Sequence, residues 1–118
     1  MAEKRRYVRF KTPFCVQCDW QDRFQGVSGV TRDISMKGAS FLLDTELNIP
    51  PESILMFYFL LPQSTLKIRG KVAWIKDIGD KKGLGISFIC IADHQKQEIY
   101  DCIIKYFPEE ITQRWWQV

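Results

Sequence analysis

Histidine is almost absent from this chain, with His94 the only one in 118 residues. It falls at the expected start of a helix. No nucleophile–base pair, paired-carboxylate site or phosphate-cradling glycine loop emerges, so no enzyme and no catalytic residue are expected. Long apolar runs are missing too. The longest, Ile54 to Leu61, has eight residues, far short of the roughly 20 that a membrane-spanning helix needs. It reads as a buried strand, and no membrane insertion is expected. The opening Met1-Ala2-Glu3-Lys4-Arg5-Arg6 leads into an alternating segment rather than an apolar signal core. The expected location is therefore the cytoplasm, where thiols stay reduced. Cys15-Val16-Gln17-Cys18 has the spacing of half a zinc knuckle, and Cys90, Cys102 and His94 could add ligands. The pair falls inside a strand, however, where an odd separation sends the two thiols to opposite faces. No metal and no cofactor are expected. Internal repeats, linkers and low-complexity segments are also lacking, which leaves residues 1–118 as a single expected domain.

What is present is a rich apolar content, 46% of residues with 14% aromatic, enough to fill a core and to exclude disorder. The net charge of +3 is small, but its distribution is lopsided. Lys4, Arg5, Arg6, Arg9 and Lys11 stand against Glu3 alone in the first eleven residues, a net +4. The other 107 residues carry 12 basic and 13 acidic side chains. An anionic partner should therefore meet the protein at this basic arm, residues 1–11.

From residue 8 onward the pattern has period two. Val8, Phe10, Phe14, Val16, Cys18 and Trp20 share a face, with Thr12 the one polar entry, so residues 8–20 read as a long half-buried strand. Pro13 indicates an edge or a bulge. A turn at Asp22-Arg23 leads to a strand over 24–34, and Ser35-Met36-Lys37-Gly38 makes a tight connection in which Gly38 is free to take positive φ. Ala39, Phe41 and Leu43 point inward on the third strand, and 53–61 forms the fourth. The fifth carries Leu66, Ile68, Val72 and Trp74 on its inner side. After a turn over Asp77 to Lys82 the sixth, 83–91, buries Leu84, Ile86, Phe88 and Cys90.

The period then changes. Ile99, Cys102, Ile103, Tyr106 and Phe107 form one helical stripe over 93–107, with Asp93 as the N-cap candidate, Lys105 in the last turn and Pro108 as the stop. Residues 108–118 form a tail bearing Trp115 and Trp116. The expected fold is mainly β: a six-stranded antiparallel β-barrel over 8–91, with a C-terminal amphipathic α-helix closing one end.

Two constellations carry chemistry. Arg5-Arg6-Tyr7-Val8-Arg9 is an R-x-x-x-R, whose planar guanidinium forks match phosphate oxygens and the O6/N7 edge of guanine and can stack on a purine. Taken alone it also reads as a solvated basic tail. Asp33-Ile34-Ser35-Met36-Lys37-Gly38 is a D-x-S-x-x-G in which Asp33 and Ser35 project from one face. The carboxylate can accept from guanine N1–H and N2–H₂, and Gly38 lets the backbone approach a ligand. Alone, this motif also reads as a serine-stabilised hairpin turn.

In this order the two motifs resemble the PilZ domain family, whose members bind cyclic di-GMP. Gly70-Lys71-Val72-Ala73-Trp74 and Gly83-Leu84-Gly85-Ile86-Ser87-Phe88 resemble that family's late strands. The resemblance covers about residues 4–91 and implies a six-stranded barrel with a C-terminal helix. It implies Arg5 and Arg9 on phosphate and guanine, and Asp33, Ser35 and the Gly38 backbone on the guanine and phosphate edges. Arg6 is a candidate helper, Lys4 adds charge, and Trp74 is a candidate flank for the ligand, although its inward phase favours a place in the core. A receptor with no catalytic site must also pass its signal to a downstream protein. An arm ordered by the ligand is the expected relay, and the chain does not say whether it acts as monomer or dimer. Two other readings remain open. One is a module of the same fold without ligand, docking a partner through Trp115 and Trp116. The other is a small barrel binding single-stranded nucleic acid, disfavoured because most aromatics fall on inward positions.

Overall fold

The computed structural model describes residues 9–20, 24–45 and 48–110. Within them the chain forms β1 (Cys15–Trp20), β2 (Phe24–Ile34), β3 (Gly38–Leu43), β4 (Ile54–Leu60), β5 (Thr65–Ile78), β6 (Lys81–Ile89) and α1 (Asp93–Tyr106). The strands close into an antiparallel barrel in the order β1-β2-β3-β6-β5-β4, with β1 also paired to β4. This is the mainly β, six-stranded barrel with a C-terminal helix that the patterning predicts.

Period two fixes which side chains fill the barrel. Val16 and Cys18 of β1, Ala39, Phe41 and Leu43 of β3, and Leu55, Phe57 and Phe59 of β4 are all buried. Phe41 stacks flat on Phe57 at a centroid distance of 4.7 Å, and Phe59 tilts against Phe41 at 5.7 Å. Aromatic stacking of this kind adds roughly 0.5–1.5 kcal/mol to the area each ring buries. The apolar run 54–61 is half-buried rather than enclosed on both faces, since Ile54 and Leu60 are exposed while Leu55, Phe57, Phe59 and Leu61 point in.

Residues 9–14 keep the alternation in burial but not the ladder. Phe10, Thr12 and Phe14 are buried, yet the only strand bridge is that of Phe10 to Ile34, and the Phe14 carbonyl takes a single backbone hydrogen bond from the Thr31 N–H at 2.9 Å. Pro13 has no N–H to donate, and β1 begins at Cys15. Val8, the Trp20 side chain and the Asp22-Arg23 turn lie outside the described residues.

Helix α1 packs Ile99 and Ile103 into the core, with Cys102 and Phe107 partly buried beside them. Phe10 meets Tyr100 edge-on at 6.5 Å and Phe14 meets Phe107 at 5.6 Å, so the segment before β1 is held between barrel and helix. The N-cap is Ala92, not Asp93: the Gln95 side-chain oxygen accepts from the Ala92 N–H at 3.0 Å, and Asp93 sits in the first turn. Tyr106, expected on the buried stripe, is exposed. Cys90, expected inward, is exposed with φ of 55°, because the chain leaves the sheet there. The β5–β6 turn is also tighter than expected. Asp77, Lys81 and Lys82 belong to the strands, and Gly79, with φ of 61°, supplies the reversal. No described helix is long and apolar enough to cross a membrane.

Cys15 is exposed and Cys18 buried, on opposite faces of β1. Burial pushes the Cys18 thiol up to about 12, with the Asp19 carboxylate adding to the shift. A thiol raised in the folded state favours folding in its neutral form. That contribution is complete below the ordinary value of 9.0 and is lost as pH rises toward about 12. Urea denaturation across this alkaline range should show the midpoint falling, and falling less steeply in Cys18→Ala. In the native protein a disulfide reagent should modify Cys15 and Cys90 first and reach Cys18 only on unfolding. Early modification of Cys18 would contradict its burial.

Candidate ligand-binding face

Of the described candidate residues, Arg9, Asp33 and Trp74 gather on the outer face of β2, β3, β6 and β5, and Ser35 and Gly38 form the turn beside it. Phe10 and Ile34 exchange backbone hydrogen bonds of 2.8 and 2.9 Å. This bridge sets Arg9 beside Asp33, and Arg9 Nη1 donates to Asp33 Oδ1 at 2.5 Å. The pair is partly open, at 36% and 28% side-chain exposure, and such surface pairs are worth about 0–1 kcal/mol. The carboxylate therefore holds the guanidinium in place without locking it there.

Asp33 faces outward because β2 is irregular. The register with β3 shifts between Thr31 and Asp33, Thr31 and Ile34 are buried, and the two residues between them point out. Beyond the strand end the Ser35 hydroxyl is drawn into the turn. It accepts from the Lys37 and Gly38 N–H groups at 3.2 and 3.3 Å and donates to the Gly38 carbonyl at 3.3 Å. The Ser35 N–H donates to the same carbonyl at 2.8 Å. Ser35 is thus buried as the organiser of this turn rather than standing open beside Asp33.

Gly38 is required for a reason other than the expected positive φ, which it does not show. A Cβ at this position would lie 2.2 Å from the Ile86 carbonyl oxygen. Its service is to let β3 approach β6.

Trp74 departs most from expectation. A register shift between Val72 and Trp74 inserts Ala73 into β5. Such a bulge re-aims the side chains that follow. Ile75 then packs on the core in the inward phase expected of Trp74, and Trp74 is 45% exposed. Its indole lies directly on Gly85, where a Cβ would meet Nε1 at 2.0 Å.

The registers place these residues in one row. Asp33 pairs with Ser40, Ser40 with Gly85, and Gly85 with Trp74. Paired residues share a face, and three strand spacings amount to about 14 Å. The row has a charged pair at one end, a flat ring at the other, and a floor of two small residues between. Ser40 and Gly85 were not singled out from the sequence, although Gly83-Leu84-Gly85 put two glycines on one side of a strand, a sign of close approach. Lys4, Arg5, Arg6, Trp115 and Trp116 lie outside the described residues.

A family model described as the PilZ domain matches residues 3–105. Among solved structures, the PilZ domain of YcgR from Escherichia coli with c-di-GMP has a TM-score of 0.74 at 15% identity, covering 94% of this chain and 97% of that one. The Bacillus subtilis inhibitor of motility MotI/DgrA has a TM-score of 0.71 at 21% identity, covering 92% of this chain and 54% of that one. The K. pneumonia MrkH–c-di-GMP complex has a TM-score of 0.70 at 13% identity, covering 95% and 56%. The chain thus spans about half the length of the last two proteins. A search of curated proteins finds no match.

Replacing Gly38 with Ala should cost about 1–3 kcal/mol in urea denaturation, because the obstructing Ile86 oxygen is backbone and cannot swing aside. An unchanged midpoint would mean that β3 and β6 can separate freely. With the fold, the two motifs and the family model in agreement over most of its length, the chain belongs to the PilZ domain family.

Proposed function

We propose that this domain is a receptor for cyclic di-GMP that relays the dinucleotide's presence to a downstream protein. The observation that carries this is the row Asp33–Ser40–Gly85–Trp74 with Arg9 held at its charged end. Cyclic di-GMP is a dianion bearing two guanines, so a ligand-sized strip needs forks for phosphate, an acceptor for guanine N–H groups and an apolar surface for a base. Arg9 and Arg5 supply the forks, with Arg6 and Lys4 adding charge. The Asp33 carboxylate supplies the acceptor, and the Trp74 indole a surface on which a guanine can stack. Ser35 and Gly38 act mainly by shaping the turn that presents Asp33 and the backbone. The E. coli YcgR domain and MrkH, both solved with c-di-GMP, share the fold that presents this strip.

Binding at Arg9 ties the basic arm to the barrel. In this reading the arm ahead of Arg9 and the Phe10–Ile34 bridge, residues 3–8, becomes ordered over the ligand, and the ordered arm is the signal that the downstream protein reads. Residues 1–118 act as one domain, with no chemistry performed on the dinucleotide.

Calorimetric titration with cyclic di-GMP should give saturable binding. A charge-assisted hydrogen bond is worth about 1.5–3 kcal/mol, so Arg9→Ala should weaken binding by about ten- to a hundredfold while leaving the urea midpoint almost unchanged. Stacking of a base on an aromatic ring is worth about 1–3 kcal/mol, so Trp74→Ala should weaken binding by a comparable factor. An oligothymidylate should give no response at physiological salt, and amide exchange over residues 3–8 should slow with ligand. Absence of heat with the dinucleotide would refute the receptor, and exchange unaltered by bound ligand would refute the ordered arm alone.

A further inference from the structure

The barrel has a second outward face that the ligand row does not use. Ile54 and Leu60 at the two ends of β4 are 54% and 38% exposed, and Met56 and Tyr58 lie half-buried between them in the same phase. Opposite them on β5 stand cations. Lys71 pairs with Ile54, Arg69 with Met56 and Lys67 with Tyr58, and all three basic side chains are exposed. Lys71 is answered by Glu52 at 3.3 Å. Lys67 and Arg69 have no carboxylate partner among the described residues. Cys15 and Gln17 extend the face onto β1 without charge, and Asp19, in register with Met56, accepts from the Gly26 N–H at 2.6 Å instead of pairing with either cation. At the other side the surface sinks into a hollow of about 360 Å³, lined by Met56, Arg69, Ile89 and Cys90 among others. Gln95 of α1 borders it, donating from its side-chain nitrogen to the Lys67 carbonyl at 3.0 Å.

We propose that this face of β4 and the first half of β5 docks a segment of a partner protein in which apolar side chains alternate with acidic ones. The argument is charge complementarity. Two unanswered cations beside an exposed aliphatic row match a chain that brings carboxylates to Lys67 and Arg69 and apolar groups to Ile54, Leu60 and the hollow. β1 and β4 pair with each other to close the barrel, so the partner cannot extend the sheet there by backbone pairing and must bind through side chains. The aliphatic character of the row disfavours single-stranded nucleic acid, which needs stacking rings. Tyr58 is the only aromatic residue the outer side of β4 offers. The face lies on the same strand as Trp74 but before the bulge, so the two surfaces can be occupied together. The proposal does not depend on the dinucleotide.

The test uses the full chain, ¹⁵N-labelled, titrated with fluorescein-tagged twelve-residue peptides. One alternates Asp with Leu, one has Lys for Asp, one has Ser for Leu, and an oligothymidylate is the polyanion control. Fluorescence anisotropy gives affinity and amide shifts give location. The Asp–Leu peptide should saturate, move amides at 54–60 and 67–71, and outbind the other probes. Arg69→Glu and Ile54→Asp should each weaken it by about tenfold or more. Both sites are exposed, so both variants should melt as the parent does, and Arg69→Lys should keep binding within a few fold. Failure of the Asp–Leu peptide to saturate would overturn the proposal, as would shifts centred elsewhere. Equal binding by the Asp–Ser peptide or the oligothymidylate would overturn it in favour of a simple polyanion surface.

Discussion

Closure of the sheet through the β1–β4 ladder is the constraint on which the other features rest. A half-open sheet of this size would leave two edges unpaired and one face of its core wet. Once Cys15–Asp19 pairs with Met56–Leu60, every regular stretch of strand must alternate between inside and outside, because the inside of a barrel is shared. The phenylalanines at 41, 57 and 59 then meet in the middle. Outward positions are freed from filling the core, and both surfaces of interest are built from them: the Asp33–Trp74 row on one side, the β4–β5 face on the other.

Two irregularities in that alternation create the ligand row. Around Arg32 in β2 and Ala73 in β5 the register slips by one residue, and each slip turns the next polar or aromatic side chain outward. Without the slip in β5, Trp74 would follow Leu66, Ile68 and Val72 into the barrel, where Ile75 now packs. Instead its ring covers Gly85, and the absence of a Cβ there is what lets a large side chain lie flat on the sheet.

The regular part of this design is legible in the sequence and the irregular part is not. Period two gave the inward residues of β3 and, on β1, Val16 and Cys18 correctly, while the unbroken apolar run of β4 hid which of its side chains face out, and the change to helical spacing located Ile99 and Ile103. A bulge adds a residue without altering composition, so alternation carried past Ala73 put Trp74 on the wrong side. The same extrapolation carried Cys90 inward after the strand had ended, and the helical spacing put Tyr106 on the buried stripe although, as the last residue of α1, it is exposed. Arg9, Asp33, Ser35 and Gly38 were legible as motif members, but their division of labour was not. Only the hydrogen bonds show Ser35 organising the turn, and only the approach of Ile86 explains why residue 38 has no side chain.

The Arg9–Asp33 pair has an energetic position that suits a receptor. An ion pair about one-third exposed is screened by water and ions, so opening it is cheap compared with the charge-assisted bonds a phosphate can offer the same guanidinium. Its location matters as much as its strength. The residue after Arg9 is Phe10, bridged to Ile34 and packed on Tyr100, and Phe14 four residues later packs on Phe107. Between them the Lys11 N–H donates to the Glu110 carboxylate at 2.5 Å. Six consecutive residues therefore run from the charged end of the ligand row to the end of the C-terminal helix, with a packed ring at each stage. A pull on Arg9 acts on a segment, residues 10–14, already fastened to both the barrel and α1.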